Sequence, residues 1–132
     1  MTIAVDFDGT IVEHKYPDIG KEKPFAIQTL RTLQQEGNRI ILFTSREGEL
    51  LDDAVAYCHK KGLDFFAVNS NQPADALFPR HTAKVIADVY IDDKNLGGLP
   101  DWGTIYVMVN GFRMERRHKK KSKSFWKRLF GK

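Results

Sequence analysis

The sequence predicts a doubly wound α/β domain, in which helices cover both faces of a mostly parallel sheet of about five strands. Short apolar runs alternate with helical patterns along the chain. The strand-like runs are rich in β-branched and aromatic residues without strict alternation, as expected when both faces of a sheet are covered. With 132 residues, the chain is long enough for one hydrophobic core and too short for two.

The first half of the chain predicts two strand–helix units. Residues 3–5 form a short apolar strand that ends in a glycine-containing turn. The first helix begins near Pro24 and stops before Gly37, because proline is favoured at a helix start and glycine just past its end. A second apolar strand follows at 40–43, and apolar residues recur at helical spacing over 50–58.

The second half of the chain predicts three further strands. Apolar runs occupy 65–68, 85–91 and 104–109. Loops and turns separate them, and no internal repeat is present.

The charge of the chain divides it into two parts. The net charge is +4, yet residues 113–132 contain ten Lys or Arg and one acid, Glu115, which is a net +9. About −5 is left on residues 1–112. We therefore expect an α/β domain over 1–112 and a basic C-terminal tail over 113–132.

The composition excludes several classes of protein. No apolar run is long enough to cross a bilayer, and the first residues lack the features of a secretory signal. Cys58 is the single cysteine, so no internal disulfide and no cysteine-cluster metal site can form. We expect a cytoplasmic protein.

Polar residues follow three of the predicted strands. In open α/β sheets, ligands bind outside the carboxyl ends of the strands, so these residues are the candidates for a site. They are Asp6, Asp8, Gly9 and Thr10 after the first strand, Thr44, Ser45 and Arg46 after the second, and Asp92 and Asp93 after the fourth.

Phosphoryl transfer would use each of these residue types. Two acids at one strand end, with Asp92 or Asp93, make an all-oxygen site suited to Mg²⁺. The cation would neutralise the carboxylates and the phosphate, which otherwise repel each other. Thr44 can donate a hydrogen bond to a phosphate oxygen, and Lys84 can supply a compact positive charge.

The same residues resemble the sequence motifs of the haloacid dehalogenase (HAD) superfamily, over about residues 3–95. Asp6-Phe7-Asp8-Gly9-Thr10 is similar to motif I, and Thr44 after an apolar strand is similar to motif II. Motifs III and IV are matched by Lys84 and by Asp92-Asp93.

The resemblance implies a Rossmann-like fold and a Mg²⁺-dependent phosphatase that works through an aspartyl-phosphate. Asp6 would be the nucleophile, and Asp8 would be the general acid and then the base. Asp6, the backbone carbonyl of Asp8, and Asp92 would bind Mg²⁺, with Asp93 as partner or alternative. Dehalogenases lack the second acid of motif I and P-type ATPases have Thr there, so Asp8 favours phosphatase or phosphotransferase.

Other assignments stay open at this stage. Lys84 fits the family lysine or a solvated charge, and Asp88 competes with Asp92 because the two share a DxxxD spacing. Thr44 and Ser45 fit phosphate binding or an N-cap of the second helix. Arg46 is either solvated or in contact with the substrate beyond its phosphate. The predicted substrate-binding residues are Gly9, Thr10, Ser45 and Arg46.

Substrate choice in this superfamily usually resides in an inserted cap domain. Residues 11–23 and 69–83 occupy the two insertion points, and neither is long enough to fold as a cap. A capless site accepts a phosphate on something large, or another subunit covers it in an oligomer. The loop at 13–23 would be the only local lid.

The basic tail has three interpretations. It is a solvated terminus, an electrostatic contact for nucleic acid, or a basic amphipathic segment that binds an anionic membrane or a partner protein. A second class of function follows, in which the chain is a binding or adaptor module that acts through its tail. A phosphotransferase would use the same site residues as a phosphatase.

Overall fold

The computed structural model describes residues 1–77 and 84–131. The described residues form four strands and three helices. In chain order these are β1 (Thr2–Val5), α1 (Ala26–Gln35), β2 (Arg39–Leu42), α2 (Gly48–Lys60), β3 (Ala67–Val68), β4 (Val89–Ile91) and α3 (Trp102–Phe130).

The four strands form one parallel sheet in the order β3-β2-β1-β4. Strand β1 is central, and its Ile3 pairs with Ile40 on one side and Val89 on the other. The predicted α/β class with a parallel, Rossmann-like sheet is confirmed. The described sheet has four strands, one fewer than expected.

The strand predicted at 104–109 is wrong, because these residues lie in helix α3. Asp101 caps this helix by accepting a hydrogen bond from the Thr104 backbone N–H at 2.9 Å. Trp102, Ile105 and Val109 then recur at helical spacing and are all buried. Their packing overrides the β propensity of the β-branched residues between them.

Strand β4 is also shorter than predicted. The backbone groups of residues 85–87 form hydrogen bonds with side chains and not with a neighbouring strand. The Tyr90 hydroxyl donates to the Val85 carbonyl at 2.6 Å and accepts from the Ala87 N–H at 3.1 Å. Both backbone groups of Ile86 pair with the Asn71 amide. The segment is therefore held beside the sheet without extending it.

The two faces of the sheet are covered differently. All three helices place buried residues in the same core cluster as Ile3 and Leu42. The opposite face, with Ala4 and Ile41, packs against Val85 and neighbouring residues of the segment that returns from β3 to β4. Among the described residues, this second layer is a loop segment where a helix was expected.

The predicted boundary at residue 112 falls inside α3, which runs without interruption through most of the basic tail. Arg116 forms an ion pair with Asp88 at the amino end of the sheet, where Asp88 also accepts from the Thr2 N–H. No helix in the described part of the chain is both long and apolar enough to span a membrane.

Candidate active site

The carboxyl ends of β1, β2 and β4 bring the predicted polar residues to one rim. Backbone hydrogen bonds fix these ends, from Asp6 N–H to the Ile91 carbonyl at 3.0 Å and from Phe43 N–H to the Val5 carbonyl at 2.8 Å. An open cavity of about 490 Å³ lies above them. Its lining residues are Asp6, Asp8, His14, Tyr16, Phe43, Thr44, Ser45, Asp92, Asp93 and Lys94.

Three carboxylates meet at the floor of the cavity. Asp6, Asp92 and Asp93 each offer an oxygen, and these oxygens lie within 4.8 Å of one another. Burial, and then the negative charge of Asp92, raise the pKa of Asp6 to about 7. A group of carboxylates this close together can bind a cation.

Thr10 supports the carboxylates from behind. Its hydroxyl accepts a hydrogen bond from the Asp93 N–H at 3.0 Å, and it lies 3.2 Å from Asp6 Oδ2 and 3.3 Å from Asp93 Oδ1. The Thr10 carbonyl accepts from the Trp102 indole at 3.1 Å. Thr10 is buried and does not line the cavity, so its contacts are to the site residues and not to the space for substrate.

Gly9 allows Asp93 to approach the turn after β1. Its φ is +83°, and a Cβ added there would lie 2.3 Å from Asp93 Oδ2. The need for glycine at position 9 is therefore explained without the predicted contact to substrate. The glycine makes room for a carboxylate of the site.

Arg46 is buried and paired with Asp8, in place of the solvated or substrate-facing position considered from the sequence. Its Nε and Nη2 each donate to one Asp8 oxygen at 2.7 Å. The Arg46 side chain has no exposed surface, whereas that of Asp8 is 12% exposed. These hydrogen bonds, which the Asp8 carboxylate accepts, raise the pKa of Arg46.

Arg46 also holds the loop predicted as a lid. Its guanidinium donates to the Pro17 carbonyl at 3.2 Å, the Asp18 carbonyl at 2.9 Å and the Leu50 carbonyl at 3.3 Å, and it lies over the Tyr16 ring. One buried side chain thus joins Asp8 to the lid loop.

Thr44 lies at the cavity, held by its neighbours. Its N–H donates to the Asn69 side chain at 2.8 Å, and its hydroxyl accepts from the Arg46 N–H at 3.1 Å. The N-cap of α2 is Glu47, so neither Thr44 nor Ser45 caps that helix. The sequence reasoning missed Asn69, although an asparagine directly after a strand, here with φ +50°, is a recognisable signal.

The structure does not bring Lys84 to the cavity. Lys84 is exposed, with its ammonium 4.9 Å from the Tyr90 ring centroid, and it is not among the described residues that line the site. Lys94 lines the cavity, with Nζ 3.9 Å from Asp93 Oδ2. Lys94 was not predicted, because the lysine of the HAD motif that the sequence resembles precedes motif IV, and Lys94 follows Asp92.

Asp88 and Asp92 lie at opposite ends of β4. Asp92 lines the cavity, while Asp88 accepts from Thr2 at the amino edge. This hydrogen bond and the ion pair with Arg116 lower the pKa of Asp88. His14 and Tyr16, from the lid loop, lie at the cavity as well, and His14 was not predicted there.

The donor set fits a hard divalent cation. Asp6, Asp92 and Asp93 supply carboxylate oxygens alone, the ligands that Mg²⁺ prefers. The Asp93 carboxylate lies in a space that any side chain at position 9 would fill, so glycine at this position allows Asp93 to join the cluster. Asp8 is not in this cluster through its side chain.

Comparison with known proteins finds one informative relative. The chain is similar to a solved structure of a conserved protein from Bacteroides thetaiotaomicron, with 56% sequence identity and a TM-score of 0.79 over 84% of this chain and 90% of that one. No protein-family model and no curated protein matches the chain.

Proposed function

We propose that this chain, which belongs to the same family as the conserved Bacteroides thetaiotaomicron protein, is a Mg²⁺-dependent phosphomonoesterase. The observation that carries the proposal is the cluster of Asp6, Asp92 and Asp93 beside Thr44 and Asp8 in one open cavity. It combines a metal site, a nucleophile, a phosphate ligand and an acid/base residue.

Asp6 is the proposed nucleophile. One of its carboxylate oxygens attacks phosphorus and forms an acyl-phosphate bond while the bond from phosphorus to the ester oxygen breaks. Asp8 donates a proton to the departing oxygen, and the alcohol leaves. The Thr44 hydroxyl and the Lys94 ammonium, both at the cavity, stabilise charge on the phosphoryl oxygens.

Hydrolysis of the acyl-phosphate completes the cycle. Asp8 removes a proton from water as the water oxygen attacks phosphorus, and the bond to Asp6 breaks. Inorganic phosphate leaves, the Asp6 carboxylate is restored, and Asp8 holds the proton for the next turnover. An acceptor alcohol in place of this water would make the chain a phosphotransferase.

Arg46 acts in this scheme as a positioning residue. Its two hydrogen bonds fix the plane of the Asp8 carboxylate, and its bonds to the Pro17 and Asp18 carbonyls fix the lid loop against the same group. Asp8 therefore has one orientation from which to exchange protons with the leaving group and with water.

Bound Mg²⁺ would offset the negative charge of the carboxylates and of the phosphate. The residues that would hold it are Asp6, Asp92 and Asp93. Burial first and then the negative charge of Asp92 raise the pKa of Asp6, and such a cation would favour the charged form of this carboxylate.

The experiment that tests this function measures phosphate release from a panel of phosphomonoesters. The panel should include sugar phosphates, nucleotides, phosphorylated oligonucleotide ends and phosphopeptides, since the site has no cap. We expect release that requires Mg²⁺, stops with EDTA and is lost in Asp6→Asn. Phosphate retained on the wild-type protein during turnover should be released by hydroxylamine, which cleaves acyl-phosphates.

Asp52→Asn is the matched control. Asp52 is exposed on α2, away from the cavity, so the same chemical change there should leave the rate unaltered. An Asp6→Asn protein that keeps the wild-type rate would exclude the mechanism. Release that is insensitive to EDTA would exclude the metal.

A further inference from the structure

The last part of α3 is an exposed helix whose ion pair between Arg116 and Asp88 joins it to the rest of the described residues. Residues 114–130 are all exposed, and the four large apolar side chains near the end are 55–71% exposed. Trp126 stacks on Phe130 at a centroid distance of 5.0 Å and meets Phe125 edge-on at 6.1 Å. These rings cover one another in part and otherwise face solvent.

The apolar residues of this segment share one side of the helix. At about 100° per residue, Phe125, Trp126, Leu129 and Phe130 fall within an arc of about 140°. The exposed side chains of Val107, Met108, Phe112 and Met114 continue the same side along α3. We call this surface the apolar stripe, and it lies away from the side of α3 that buries Trp102, Ile105 and Val109.

The basic residues occupy the rest of the circumference. Eight of them fall within an arc of about 160° on the side opposite the apolar stripe. They are Arg113, Arg116, Arg117, Lys120, Lys121, Lys123, Lys127 and Arg128. Glu115, His118, Lys119 and Ser122 lie within the arc of the stripe, so its apolar residues form two patches, one over 107–114 and one over 125–130. Around the second patch the segment separates its charge from its apolar surface.

We propose that residues 114–130 bind the surface of an anionic membrane, with the apolar stripe in the interface and the basic side chains toward the lipid headgroups. Segregated Trp, Phe and Leu opposite a Lys/Arg-rich face are the features of an interfacial helix. Anionic lipid attracts such a cluster electrostatically. The interaction does not depend on the catalytic proposal.

Nucleic acid and a second copy of the chain fit this segment less well than a membrane does. Nucleic acid would bind the basic side chains through its phosphates, but the apolar stripe on the other side would stay exposed to water. A second copy of the chain would bring together two copies of segment 114–130, each with a net charge of +7, which repel. A membrane surface satisfies both the apolar and the basic side at once.

The helix geometry keeps the cavity free in the bound state. Helix α3 starts at the active-site rim, where Trp102 donates to Thr10, and passes the opposite edge of the sheet where Arg116 meets Asp88. Residues 117–130 extend about 21 Å past that edge. Membrane binding therefore leaves the cavity open to a soluble substrate.

The test mixes the full chain with sedimentable vesicles of phosphatidylcholine alone or with a minority of phosphatidylserine. We expect at least about tenfold more bound protein on the anionic vesicles, reduced by added salt. Trp126 is the optical reporter, because Trp102 is buried and Trp126 is 55% exposed. Its emission should shift to the blue with anionic vesicles, and Trp126→Phe should bind without the shift.

Two sets of variants separate the contributions. A triple change, Phe125→Ser with Trp126→Ser and Phe130→Ser, should lower binding to the vesicles about tenfold or more. The control is Leu77→Ser, at an apolar residue outside the stripe that is 89% exposed, and it should leave binding unchanged. Lys120→Gln with Lys123→Gln and Lys127→Gln should remove the preference for anionic lipid. All these residues are exposed, so unfolding curves should match the wild type.

Three results would overturn the proposal. The first is no binding to anionic vesicles. The second is oligonucleotide binding that the triple apolar change leaves intact, with no lipid binding. The third is a concentration-dependent dimer in sedimentation velocity that shifts Trp126 emission without lipid.

Discussion

Arg46 and Asp8 form a bidentate ion pair in which both distances are 2.7 Å and the arginine is fully buried. The pair joins the strand end after β2 to the turn after β1, and its remaining donors hold the lid loop. Removal of either partner would leave a buried or half-buried charge without its counterion. This relationship leads to the first prediction.

Arg46→Ala should lower the free energy of unfolding by about 3–5 kcal/mol, the usual cost of breaking a buried pair from one side. Urea denaturation measures it. Arg117→Ala, an exposed control on the tail, should change the same free energy by less than about 0.5 kcal/mol. Equal losses in the two variants would show that the pair contributes nothing.

Arg46→Lys tests positioning apart from charge. Lysine keeps the positive charge but cannot donate two parallel hydrogen bonds to a carboxylate. We expect a lower kcat with little change in KM, and a pH profile displaced from the wild-type profile. A purely structural role would lower the stability of the variant while kcat per folded molecule stays the same.

The pH dependence of stability follows from Asp6. Its pKa is raised to about 7 from an unfolded value of 3.8, so the folded state binds more protons than the unfolded state between these values. Stability without metal should therefore fall as pH rises from about 4 to 7, and the full loss should be present above that range. Asp6→Asn should remove it.

In EDTA at pH 8, Asp6→Asn should be more stable than the wild type by roughly 1–3 kcal/mol, and at pH 4 the two should be alike. Thermal unfolding at both pH values measures the difference. Added Mg²⁺ should stabilise the wild type more than the variant, because Asp6→Asn removes one of the three carboxylates that would bind the ion in the folded state. An Asp6→Asn protein less stable at pH 8 would contradict the raised pKa.

Gly9→Ala should disturb the carboxylate cluster. The added Cβ would meet Asp93 Oδ2 at 2.3 Å, and φ at position 9 is +83°. We expect a loss of roughly 3 kcal/mol in the free energy of unfolding and a weaker response to Mg²⁺ in calorimetric titration.

Gly37→Ala is the control for backbone strain alone. Its φ is +94°, and nothing lies within 4 Å of the added Cβ. The variant should lose about 1 kcal/mol and bind Mg²⁺ as the wild type does. If Gly9→Ala behaves the same way, close packing of Asp93 on the turn has no role in the site.

Lys94 and Lys84 are distinguished by position. Lys94 lines the cavity and Lys84 does not, so Lys94→Ala should lower kcat/KM by about 100-fold and Lys84→Ala should change it little. Steady-state kinetics on the best substrate of the panel measure both. A larger loss in Lys84→Ala would restore Lys84 as the phosphate-binding lysine of the family motif.

The sequence by itself determined the order of the first strand–helix units and the rim on which the site lies. Glycines at 37 and 62 ended helices α1 and α2, and the apolar runs before Asp6 and Asp92 formed strands. These features depend on local chemistry, on backbone φ and on burial of short apolar runs, which are readable from neighbouring residues.

Only the tertiary structure decided what the local pattern left open. Residues 104–109 became a helix because Ile105 and Val109 pack into the core beside α1, a contact between distant parts of the chain. Arg46 became a buried partner of Asp8, and Asp88 was placed at the edge opposite Asp92. These outcomes depend on contacts between residues that are far apart in the chain, and the spacing of residues along the sequence does not predict such contacts.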